Sequence, residues 1–115
     1  MRMQAKAPVI GKGIPVSPGV IEGPVKIVES PEDVAAVKPG DIVVVKYSNP
    51  LFTLAAMASA GLICEVGGVL THICIVSAEI GIPCIARAEN ITASLTDGMI
   101  ITLDASQGLV YGSHE

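Results

Sequence analysis

The chain has 115 residues, of which half are apolar, 3% aromatic and 16% charged, and its formal net charge is −4. One hydrophobic core fits that length, and the apolar half excludes intrinsic disorder. Excess acid over base, with two tyrosines and one phenylalanine as the only rings of their kind, excludes a nucleic-acid reader, which needs cations for phosphates and platforms for bases.

Residues 1–12 carry the weakest pattern and read as a loose N-terminal arm ahead of a domain over 13–112; residues 113–115 read as a short tail. The opening MRMQAKAPVIGKG lacks the apolar h-region of about 7–15 residues that marks a secretory signal, so a cytoplasmic location is expected. From Ile14 onward, Pro15, Pro18, Gly19, Gly23 and Pro24 divide the text into short extended pieces. Val25 to Val28 then reads as a strand. SPEDVAAV predicts a short helix, with Ser30 as N-cap, Pro31 at the first helical position and Glu32 and Asp33 in the first turn. After the Pro39-Gly40-Asp41 turn, Ile42 to Val45 is an unbroken β-branched run, the signature of a strand covered on both faces.

Asn49-Pro50 opens a second predicted helix, LFTLAAMASA, closed by Gly61. The charge-poor stretch from Tyr47 to Cys64 is interrupted by Ser48, Asn49 and Pro50 and stopped by Glu65. It does not make the roughly 20 apolar residues of a membrane span. Leu62 to Cys64 is a buried strand, Gly67-Gly68 a loop, and THICIVSAEI a third helix, with Thr71 as candidate N-cap and Gly81 just past its end. Strands follow at Ile82 to Ala86, Met99 to Leu103 (after an Asp97-Gly98 turn) and Leu109 to Tyr111. Strand–helix–strand–helix–strand with right-handed crossovers makes a parallel centre. The all-β ends add a second layer. The expected fold class is therefore α/β, a β/β/α domain with a parallel central strand–helix core and a flanking β-layer.

Cys64, Cys74 and Cys84 are odd in number and lie in apolar text, so they read as small buried residues rather than a disulfide framework. No C-x2-4-C pair occurs, and no metal site is expected.

The stretch from Gly67 to Pro83 holds the chemistry. A glycine pair after a buried strand lets a ligand approach the backbone. His72 falls in the first turn of the helix behind it, where free N–H groups and the positive dipole end favour an anion. The same field favours neutral imidazole, the nucleophilic form. A histidine so placed can accept a phosphoryl group. Helix placement alone leaves open the alternative, a hydrogen-bonded structural histidine. His114, near the C-terminus, reads as an uninvolved tail residue. Glu65, beside the loop, would repel a phosphate unless it is turned away.

From Gly13 to Tyr111 the text resembles the phosphohistidine, or mobile swivelling, domain of phosphoenolpyruvate-utilising enzymes. The resemblance runs through GIPVSPGVIEG, KPGDIVVV and the Asn49-Pro50 segment with Met57, Ala60 and Gly61. It continues through Gly67-Gly68, Thr71-His72, Ile75-Val76 and Glu79 to Pro83, and ends at Asp97-Gly98, Asp104, Gly108 and Val110-Tyr111. It implies that His72 is the phosphocarrier, supported by Gly67, Gly68 and Thr71. It also implies that ATP and Mg belong to an ATP-grasp-type nucleotide-binding partner, and that an acceptor-binding subunit or domain receives the group. No cofactor is expected on this chain itself. Cys64 and Leu70 stand where the family usually has a hydroxyl residue, Ile73 where it has Ala, and Ala78 where it has Arg. These changes remove donors that a phosphate would use. A second reading is a non-catalytic swivelling subunit that binds or gates substrate in a partner enzyme such as a hydro-lyase.

Overall fold

A computed structural model describes residues 7–112. In chain order the elements are β1 (Val9–Lys12), β2 (Ile14–Ser17), β3 (Val20–Val28), α1 (Pro31–Ala35), β4 (Ile42–Val45), α2 (Pro50–Ala58), β5 (Gly61–Cys64), α3 (His72–Ile80), β6 (Cys84–Ala86), α4 (Ile91–Ser94), β7 (Ile100–Asp104) and β8 (Leu109–Gly112). The strands join in the order β1-β8-β7-β3-β4-β5-β6-β2. The four central strands β3 to β6 run parallel, and every other pairing is antiparallel.

Strand β3 belongs to two pairings. Its first half, Val20–Pro24, lies antiparallel to β7, and its second half, Val25–Val28, lies parallel to β4. The sequence suggests a break at Gly23-Pro24, but the strand continues through it. The two residues mark the change of partner instead. A Cβ on Gly23 would lie 2.5 Å from the Gly40 carbonyl oxygen. Pro24 has no N–H to contribute, and the ladder resumes as Val25 donates to the Met99 carbonyl at 2.8 Å.

The change of partner creates the layers. In β4, Ile42 and Val44 point into one core, with Ile63, Ile85, Ile101, Leu103 and Val110. Val43 and Val45 point into the other, with Phe52, Ala55 and Ala56 of α2 and Ile73 and Cys74 of α3. Alternation along a single buried strand thus serves two cores. Strands β1, β7 and β8 and the first half of β3, with the short α4, cover one face of the parallel sheet, and α1, α2 and α3 cover the other, which is the β/β/α order expected.

Several local expectations change. Val9–Lys12 is an edge strand paired with β8, not loose arm. Its register shifts between Val9 and Gly11, so it shows no alternation to read, and its partner comes from the far end of the chain. Residues 1–6 and the tail, including His114, lie outside the described residues. Gly61 does not end α2: Ser59 does, its hydroxyl donating to the Ala56 carbonyl at 2.9 Å. Gly61 begins β5, where a Cβ would lie 2.5 Å from Ile21 Cδ1 and 3.2 Å from the Pro83 carbonyl oxygen. Helix α4 has four residues with β-branched Ile91 and Thr92, a poor helical text. It is held from outside, because Glu65 Oε1 accepts from the Thr92 N–H at 3.1 Å and from its hydroxyl at 2.6 Å.

Candidate functional site

Parallel strands release the chain at one edge of the sheet, and ligand sites in such sheets lie at that edge. Here β4 releases Lys46–Asn49, β5 releases Glu65–Thr71, and β6 releases Arg87–Asn90. Their backbones are tied together. Glu65 N donates to Val45 O at 2.9 Å, Val66 N to Lys46 O at 2.8 Å, and Ala88 N to Cys64 O at 3.1 Å.

His72 is the first residue of α3, and its side chain is exposed at this edge. Thr71 occupies the N-cap position with φ −68° and ψ 151°. The expected cap is not made by its side chain, however. Thr71 Oγ1 instead donates to the Gly68 carbonyl at 2.9 Å, and Thr71 N donates to the same oxygen at 3.1 Å. The cap comes from another strand's loop: Ser48 Oγ accepts from the Ile73 N–H at 3.3 Å. Among the described residues no acceptor meets the N–H of His72 or Cys74. These two donors remain at the positive end of the helix, beside the imidazole.

The two glycines have different roles. Gly67 has φ +113°, and a Cβ there would also lie 2.9 Å from Thr71 Cγ2, so the turn itself requires glycine. Gly68 has no left-handed φ, and a Cβ there would meet nothing within 4 Å. Its surroundings are open. It lines a groove of about 550 Å³ with Ile14, Val69, Leu70, Thr71 and Arg87. Glu65 is turned away from this groove to α4, which removes the anticipated repulsion.

The three cysteines meet below α3, all buried and unpaired. Cys74 and Cys84 have their sulfurs 4.0 Å apart, and Cys64 Sγ donates to the Val66 carbonyl at 3.3 Å. The neighbouring Cys74 sulfur, with burial, pushes the Cys64 and Cys84 thiols up, and these two neighbours pull Cys74 down. Cys64 therefore keeps a polar tie to the loop where the family usually has a hydroxyl.

The sequence brought out His72, Gly67, Gly68 and Thr71, and the structure assembles all four in one loop and helix start. It adds Ser48 and Arg87, which the sequence analysis did not single out. Ser48 lies 25 residues from Ile73, so no local motif connects them. Arg87 follows a buried strand directly, and that position was the available signal.

Residues 37–108 match the family described as PEP-utilising enzyme, mobile domain. Phosphoenolpyruvate synthase of Pyrococcus furiosus is 39% identical over 106 residues, covering 92% of this chain and 13% of that protein. Rifampicin phosphotransferase of Bacillus cereus is 36% identical over 98 residues, covering 85% of this chain and 11% of that protein. The chain thus spans about one-eighth of the length of such relatives. Among solved structures, aconitase X of Thermococcus kodakaraensis superposes with a TM-score of 0.67 at 20% identity, covering 90% of this chain and 98% of that one. That likeness concerns the fold alone. The sequence match spans well over half of the chain and includes the His72 loop, and on that ground the protein belongs to the mobile-domain family of phosphoenolpyruvate-utilising enzymes.

Proposed function

We propose that this chain is a phosphocarrier and that His72 is the residue that carries the group. One observation supports this most directly: His72 is exposed at the first position of α3, beside two backbone N–H groups without acceptors among the described residues. A ring nitrogen of neutral His72 attacks the phosphorus of the donor. The N–P bond forms as the bond from phosphorus to the donor oxygen breaks, and the electron pair leaves with that oxygen. An acceptor oxygen then attacks the same phosphorus, the N–P bond breaks, and its electron pair returns to the imidazole. Positioning and charge compensation are the protein's share of such transfers.

ATP and Mg are supplied by an ATP-grasp-type partner, and pyruvate or another small molecule takes the group at a second partner. The domain swings between them, in the cytoplasm where ATP is available. The length ratio supports separate loading and unloading parts, since relatives such as the Pyrococcus furiosus synthase carry seven-eighths of their length outside this match.

Incubation with the nucleotide-binding partner and ATP labelled at both its β- and γ-phosphoryl groups tests the reading. We expect acid-labile, base-stable label on the chain and none on His72→Ala. Label retained by His72→Ala overturns it.

A further inference from the structure

We propose that Arg87, across the groove from the loop that leads into His72, supplies the cation that holds the phosphoryl group carried by His72. This inference rests on the carrier reading and adds to it a residue from a different strand. α3 offers no cation of its own, because Ala78 stands where the resemblance leads one to expect arginine. The open groove along the loop that leads into His72 is lined by Gly68 and Thr71 and, from β6, by Arg87. Arg87 leaves β6 at the same edge at which the His72 loop leaves β5, and these two strands are neighbours.

The backbone fixes where the side chain starts. Ala86 is in the sheet, and Ala88 is fully buried with its N–H on the Cys64 carbonyl. Between these two anchors Arg87 has φ +54°, and its side chain is exposed. It has no carboxylate within ion-pair distance among the described residues; both ion pairs found there belong to Lys26. Glu89 shares with it only the adjoining groove, where Lys12 adds a second cation. At the same edge Lys46, just past β4, is a second exposed cation, but Arg87 is the one that lines this groove. A planar guanidinium also suits a phosphoryl group, which it can meet with two parallel N–H donors.

Two measurements on the 115-residue chain test this. Inorganic phosphate is titrated while the Gly68 and Thr71 amides are followed by NMR, and His72 is loaded chemically with phosphoramidate while the N–P signal is followed by phosphorus NMR. For Arg87→Met we expect phosphate affinity to fall about tenfold, the effect of one hydrogen bond to a charged group, and loading to slow. Arg87→Lys should fall between the two, because it keeps the charge and loses the fork. Arg87→Gly should bind as weakly as Arg87→Met while its Tm rises, since glycine accepts φ +54° without strain; this separates the role from a folding defect. Lys38→Met, at the opposite end of β4, is the charge control and should change neither quantity. Unchanged phosphate affinity and loading in Arg87→Met overturn the role of Arg87 and leave the carrier reading standing. Failure of His72 to load in the unaltered chain overturns the carrier reading, and the role of Arg87 with it.

Discussion

The two halves of the sheet put their polar residues to different uses. In the antiparallel half the chain turns back at once, and two of its carboxylates, Asp97 and Asp104, are taken up in holding backbone. Asp104 accepts from the Gln107 N–H at 3.1 Å and from its side-chain amide at 2.9 Å. Asp97 accepts from the Ile27 N–H at 2.6 Å and faces Lys26 at 3.8 Å. In the parallel half each strand must cross over before it can pair again. Three successive loops therefore gather at one edge, and His72 and Arg87 are exposed there without ion-pair partners among the described residues. The candidate site thus lies where the connectivity leaves groups unspent.

That contrast can be broken by mutation. His72→Ala should abolish phosphoryl labelling and shift Tm little, because the side chain is exposed and makes no hydrogen bond among the described residues. The next largest effect is on packing between the halves. Gly61 lies under Ile21 and Leu103 of the antiparallel layer, so Gly61→Val should destabilise by roughly 1–3 kcal/mol through overpacking, measured by urea unfolding. Asp104→Ala should do the reverse of His72→Ala. It should cost about 1–2 kcal/mol for lost hydrogen bonds and leave labelling of the folded protein intact.

Ser48→Ala sharpens the comparison within the parallel half. Losing a cap supplied from another loop should cost about 1 kcal/mol and slow loading of His72, since α3 is then less firmly placed. The smallest effect concerns acid. The Glu29 N–H, with help from Ser30 and Lys26, holds the Asp33 carboxyl below its ordinary value of 3.8. The folded-state value is depressed, so this stabilisation is present above pH 3.8 and is lost as pH falls from there through the lowered value. Unfolding midpoints of Asp33→Asn should accordingly fall less steeply than those of the unaltered chain over that acid range.

Much of the parallel half was readable because its signals are local. Ile42–Val45 is buried at every position, and a β-branched run says as much. Ser30 caps α1 as its spacing implied, accepting from the Asp33 N–H at 3.3 Å. The edge strand β1, the helix α4 and the uninterrupted β3 were not readable. Each depends on a partner distant in sequence: β8 for β1, Glu65 for α4, and a change from β7 to β4 for β3.

The candidate site divides along the same line. His72 after a glycine loop at a helix start is a local pattern, and the residues alone located it. They also marked the central strands as covered on both faces, because β-branched runs such as Ile42–Val45 signal this. The change of partner in β3 that makes the layers came from pairings distant in sequence. Tertiary structure decided what surrounds the histidine. It replaced Thr71 by Ser48 as the cap, separated the structural Gly67 from the open Gly68, and put Arg87 on the groove. The physical reason is that hydrogen bonds and charge act through space, and parallel crossovers bring together at one sheet edge residues that the chain keeps far apart.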